Sequence, residues 1–109
     1  MIDLPNKNLA FEYENGFYLT CEPTRIGKFI AHYELFKQTK KLDGAIVECG
    51  VYKGASLVRF AMIRELFKKE QKKILGFDSF GPFPETNFQD DMELRQKFID
   101  TAGDQSISK

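Results

Sequence analysis

The stretch GAIVECGVYKGAS, residues 44–56, runs a short apolar segment, Ala45, Ile46 and Val47, into an acid, Glu48, and then into a turn carrying Gly50, Tyr52, Gly54 and Ser56. A continuous apolar run without alternation predicts a strand covered on both faces, as in a parallel sheet. Ser56 opens a segment in which Leu57, Val58, Ala61, Met62, Leu66 and Phe67 keep helical spacing. Lys68, Lys69, Lys72 and Lys73 close it, and they read as a solvated face that complements the helix dipole. Ile74, Leu75, Gly76 and Phe77 form a second apolar run, ending at Asp78. Strand, helix and strand within about 35 residues make a βαβ unit, whose crossover is expected to be right-handed.

Working outward, Ile26, Phe29, Ile30, Tyr33 and Phe36 fall on one face of an earlier helix, with Thr24 as its expected cap and Lys40 and Lys41 at its end. Residues 1–20, punctuated by Pro5, Asn15 and Gly16, read as irregular, and residues 1–23 are taken as an N-terminal arm. Beyond Asp78, Gly81, Pro82 and Pro84 mark a loop, and residues 90–100 predict a further helix entered through an aspartate cap. Two strands offer little surface for three helices to cover. Residues 24–109 are therefore expected to be part of a larger α/β domain, or a unit that completes its sheet with a second copy or a partner.

Sixteen Lys and Arg balance sixteen Asp and Glu, so no global field draws in a nucleic acid or an anionic membrane. A chain of 109 residues is one domain at most, able to bury roughly 60–70% of its unfolded surface. The two cysteines, Cys21 and Cys49, lack the spacing of a disulfide framework or a zinc site, which fits a reducing cytoplasm. The sequence has neither a cationic start leading into an apolar stretch nor an apolar run long enough to span a bilayer, so a soluble cytoplasmic protein is expected.

In open α/β sheets ligands sit at the carboxyl ends of the strands, so residues 48–56 and 78–80 should share one rim. Gly50 and Gly54 would let the backbone approach a ligand, the amides opening the next helix would face an anion, and Ser56 would add a hydroxyl donor. Each feature has a plain structural reading as well: glycines relieve sterics, Ser56 caps a helix, and Asp78 caps a local turn. Their order is what points to a ligand. A carboxylate ending the second strand can accept hydrogen bonds from both hydroxyls of a ribose, a role that dinucleotide folds place about 20 residues beyond the glycine turn. Asp78 lies 28 residues after Gly50 and 24 after Gly54. Tyr52, however, stands where a pyrophosphate would need a second glycine, which disfavours NAD or FAD. S-adenosylmethionine has no pyrophosphate; its carboxylate suits the helix amides and its ammonium suits an acid such as Glu48.

The pair VECGVYKGAS and GFDSF, followed by a proline loop, resembles the class I methyltransferases of the macrocin O-methyltransferase family over about residues 42–86. The resemblance implies an α/β, Rossmann-like methyltransferase fold, of which this chain carries the N-terminal βαβ portion plus flanking helices. It also implies S-adenosylmethionine-dependent methylation of a hydroxyl on a deoxysugar, within a natural product or a glycan. By motif position Glu48, Gly50, Tyr52, Gly54 and Ser56 would line the methionine end, Asp78 the ribose, and Ser79 and Phe80 the adenosine. Family members carry magnesium-binding acids and a catalytic base in a later Asp-Gly-Asp segment that has no counterpart here. Asp90, Asp91 and Glu93 read as surface acids, and mid-helix His32 as a packing or surface residue. The competing expectation is a non-catalytic α/β module that binds a nucleotide or a partner on the same rim; a nicotinamide oxidoreductase is the weakest option.

Overall fold

The computed structural model describes residues 5–103. A 3-10 turn, Lys7–Leu9, leads into helix α1, Ala10–Thr20, which is followed by helix α2, Pro23–Thr39. Strand β1, Ile46–Cys49, helix α3, Ala55–Leu66, and strand β2, Ile74–Phe77, come next, and helix α4, Gln89–Ala102, closes the described chain. The strands pair in parallel, Ile46 opposite Ile74 and Cys49 opposite Phe77, so the expected βαβ unit is present. The described residues form a small α/β unit of four helices and a two-stranded parallel sheet. No helix among the described residues is long and apolar enough to cross a membrane.

The N-terminal segment is helical rather than irregular. Asn6 caps the leading turn by accepting from the Asn8 amide at 3.0 Å, and the Thr20 hydroxyl donates to the Gly16 carbonyl at 2.7 Å. Gly16 thus sits within α1, where a glycine costs only about 1 kcal/mol and ends nothing. Helix α2 starts two residues earlier than a Thr24 cap predicts. Glu22 is the cap position and Pro23 the first helical residue, where the missing amide hydrogen is no loss. Likewise α4 is entered from Phe88, not from an aspartate; Asp90 and Asp91 lie inside its first turn, where they favour the dipole.

The core lies between α2, α3 and one face of the sheet. Phe36 of α2 and Ile63 of α3 are fully buried, and Phe67 stacks against both Phe36 and Tyr33 with ring centroids 5.4 Å apart. His32 lies flat on Phe60, centroids 4.6 Å apart and planes within 10°, which makes it the packing residue its position suggested. The buried side of α3 is centred on Ile63, while Met62 and Leu66 remain 66% and 69% exposed.

Burial alternates along both strands, and Val47, Leu75 and Phe77 keep 54%, 42% and 58% of their surface. The sheet is therefore covered on one face only, contrary to the expectation drawn from its continuous apolar runs. All of the described layer packed on it lies on the side of α3.

One lysine departs from the solvated-face reading. Lys72 is buried, its ammonium donates to the Leu42 carbonyl at 2.5 Å, and its own carbonyl accepts from Arg64 at 3.1 Å. It ties the entry of β1 to the entry of β2, while Lys68 and Lys73 stay in solvent.

Candidate functional site

Parallel pairing places the carboxyl ends of β1 and β2 side by side. The Gly50 amide makes the last rung, donating to the Phe77 carbonyl at 2.8 Å. Past it the chain turns sharply, with positive φ at Gly50 (84°), Tyr52 (50°) and Gly54 (81°). The two glycines take this conformation freely, whereas Tyr52 is a non-glycine residue in the left-handed region and has to be held there. Val51, between them, drops into the core.

Contacts from its amide, its hydroxyl and its ring hold Tyr52. Its amide donates to Asp78 Oδ2 at 2.7 Å, its hydroxyl donates to the carbonyls of Ala102 and Gly103, and its ring meets Phe98 edge-on at 5.6 Å. Lys53 donates to the Ala102 carbonyl as well, at 2.9 Å. Two donors therefore meet the last carbonyls of α4, where the helix dipole is negative. At the other end of the loop, Arg95 of α4 donates to the carbonyls of Phe83 and Pro84 at 3.1 and 2.9 Å. Helix α4 thus clasps the turn after β1 and the loop after β2 together.

Asp78 joins the same parts. Oδ2 receives the Tyr52 amide, while Oδ1 receives the Ser79 hydroxyl at 3.2 Å and the Phe80 amide at 3.4 Å. The Tyr52 amide, followed by the donors from Phe80 and Ser79, holds its carboxyl below the usual aspartate range, with partial burial opposing them. A carboxylate has about four lone-pair sites, so these bonds leave acceptor capacity.

Helix α3 begins on Gly54 with no side-chain cap, and Ser56 is its second residue rather than its cap. The Ser56 hydroxyl donates to Glu48 Oε1. That donation turns the lone pairs of the serine oxygen outward, so Ser56 offers an acceptor where a donor was expected. Glu48 Oε2 is buried without a hydrogen-bond partner among the described residues.

A cleft of about 660 Å³ opens over this rim, within the roughly 300–1,000 Å³ common for small-molecule sites. Of the eight residues expected at a site, Gly50, Tyr52, Ser56, Asp78 and Ser79 line it. Glu48, Gly54 and Phe80 do not: Glu48 stands one hydrogen bond behind Ser56, and Gly54 is buried beneath the turn. Comparison with protein-family models, curated proteins and solved structures gives no match. What the cleft can take is decided by its own chemistry.

That chemistry includes residues that motif reading missed. Arg25 and Lys28 of α2, Lys53 of the turn and Arg59 of α3 line the cleft beside a single carboxylate among the described residues, Asp78. Phe83, Pro84 and Phe98 supply an apolar wall. A helix-wheel signal was present, since Arg25, Lys28 and His32 share one face of α2, but only the packing of α2 on α3 aims that face at the strand ends. Asp90, Asp91 and Glu93 lie exposed on α4, and among the described residues no three His, Cys, Asp or Glu side chains gather as metal ligands.

Proposed function

We propose that the cleft binds S-adenosylmethionine and that the chain supplies the cofactor-binding part of an O-methyltransferase acting on a sugar hydroxyl. The observation that carries this reading is the 2.7 Å hydrogen bond from the Tyr52 amide to Asp78, which draws the glycine turn and the acid after β2 onto one cleft. The sugar acceptor is supported by the resemblance of VECGVYKGAS and GFDSF to the macrocin O-methyltransferase family.

The residues suit the donor molecule part by part. The uncapped first amides of α3, at Ala55 and Ser56, would receive the carboxylate of the methionine tail. Ser56 would accept from the ammonium, with the Glu48 carboxylate behind it strengthening that acceptor; the unpartnered Glu48 Oε2 marks negative charge still to be met. The one lone-pair site of Asp78 left by its three bonds would take a ribose hydroxyl, and Phe83 and Pro84 would flank the adenine in place of Phe80. When bound, the sulfonium supplies an electrophilic methyl group; the chain's part is to fix the donor's orientation and exclude water from it.

The test is calorimetry with S-adenosylhomocysteine on the wild type, Asp78→Asn and Asp78→Ala. Saturable binding that weakens about 10- to 100-fold in the variants is expected from loss of charge-assisted bonds. A folded wild-type chain that does not bind it refutes the reading. One observation favours a second reading, a nucleotide-binding module without chemistry: among the described residues four cations line the cleft against one carboxylate. Tighter binding of ADP than of S-adenosylhomocysteine would select that module.

A further inference from the structure

Arg25, Lys28, Lys53 and Arg59 converge on a cleft whose only lining carboxylate among the described residues is Asp78, itself bonded to Tyr52, Ser79 and Phe80. Among the described residues the side chains of Arg25 and Lys28 have no ion-pair partner, and Arg59 meets only His32 Nδ1, at 3.4 Å. These three form one surface. Arg25, Lys28 and His32 follow one face of α2, and the Arg59–His32 contact joins that face to α3. Burial first, then the positive fields of Arg59 and Lys28, hold His32 below its usual value, so the cluster already works against itself. An unbalanced group of cations in a partly enclosed cleft favours an anionic ligand.

The donor does not satisfy it. S-adenosylmethionine carries a sulfonium and an ammonium against one carboxylate, and that carboxylate is met by the first amides of α3. Binding it adds positive charge to a cleft that already has an excess.

Building on the donor site above, we propose that the methyl acceptor is an anionic sugar, bearing a phosphate or a carboxylate, and that Arg25, Lys28 and Arg59 hold its anionic group. Guanidinium groups suit this role because their fork of N–H donors matches the oxygens of either anion. The sugar hydroxyl then lies between the cations and the methionine end of the cleft, where Ser56 and Arg59 stand three residues apart on α3.

The experiment is calorimetry at saturating S-adenosylhomocysteine with glucose 1-phosphate, glucuronate and glucose as probes. The wild type is compared with Arg59→Gln and with the double variant Arg25→Gln/Lys28→Gln, whose side chains lie on the outside of α2. At least one anionic probe is expected to bind about tenfold or more tightly than glucose, with affinity falling as salt is raised. Each variant should weaken it about tenfold while S-adenosylhomocysteine binding stays unchanged. The better of the two anions identifies phosphate or carboxylate as the recognised group. Equal binding of anionic and neutral sugars, anion binding indifferent to the variants, or displacement of S-adenosylhomocysteine by the anion each overturns the proposal. Failure of S-adenosylhomocysteine to bind at all overturns the donor site as well, so the two failures read differently.

Discussion

A methyl group added at Gly76 should push the glycine turn away from the sheet. In the centre of β2, opposite Glu48, a β-carbon at this position would lie 2.8 Å from Val51 Cγ2 and 3.1 Å from Leu57 Cδ2. Val51 is buried and β-branched, so its freedom to turn away about χ1 is restricted. Overpacking of this kind costs about 1–3 kcal/mol, offset by the about 0.4–1 kcal/mol that alanine gains by restricting the unfolded chain. Gly76→Ala should therefore destabilise by about 0.5–2 kcal/mol, read as a lower urea midpoint at unchanged slope. Val51→Ala alone should cost about 2 kcal/mol in lost burial and cavity. In the double variant the new methyl occupies the space left by Val51 Cγ2, so the pair should be less destabilising than the sum by about 1 kcal/mol. Additivity within about 0.5 kcal/mol, or a Gly76→Ala protein as stable as the wild type, would show that the turn is not wedged against the strand.

Three further outcomes follow from contacts at the same site. Tyr52→Phe removes the hydroxyl donated to the Ala102 and Gly103 carbonyls, and amide exchange in the last turn of α4 should quicken about 2- to 12-fold, with little change in α2. Because Asp78 titrates below the ordinary 3.8 in the folded chain, its contribution is present above that pH and lost as pH falls through the folded value; acid unfolding of Asp78→Asn should lack this component. His32 is held below 6.5 by burial, Arg59 and Lys28, with Glu48 opposing, so stability should decline as pH falls from 6.5 towards its folded value. His32→Phe, which keeps an aromatic ring on Phe60, should remove that decline in urea titrations taken on either side of 6.5.

The order strand, helix, strand was legible because apolar period and turn residues are local properties, and GAIVECGVYKGAS carries both. Local reading failed where two helix-favouring or helix-breaking signals competed. Asn15 and Gly16 are turn signals that lie within α1, and α2 follows a Glu22 cap rather than Thr24. The continuous apolar runs of the strands predict cover on both faces, whereas the described helices pack on one side only, a fact of arrangement and not of period.

At the candidate site the turn is legible in the chain's own residues, since only glycines adopt φ near 81–84° without strain, and so is the acid that ends the second strand. Tertiary structure decided what those residues face. Glu48 is set behind Ser56, and Tyr52 is fixed by the end of a helix some fifty residues further on. Arg25, Lys28 and Arg59 enter the cleft only through the packing of α2 on α3. The reason is physical: a side chain's neighbours along the chain follow from its helical or extended period, while its neighbours across space depend on which faces are buried against one another.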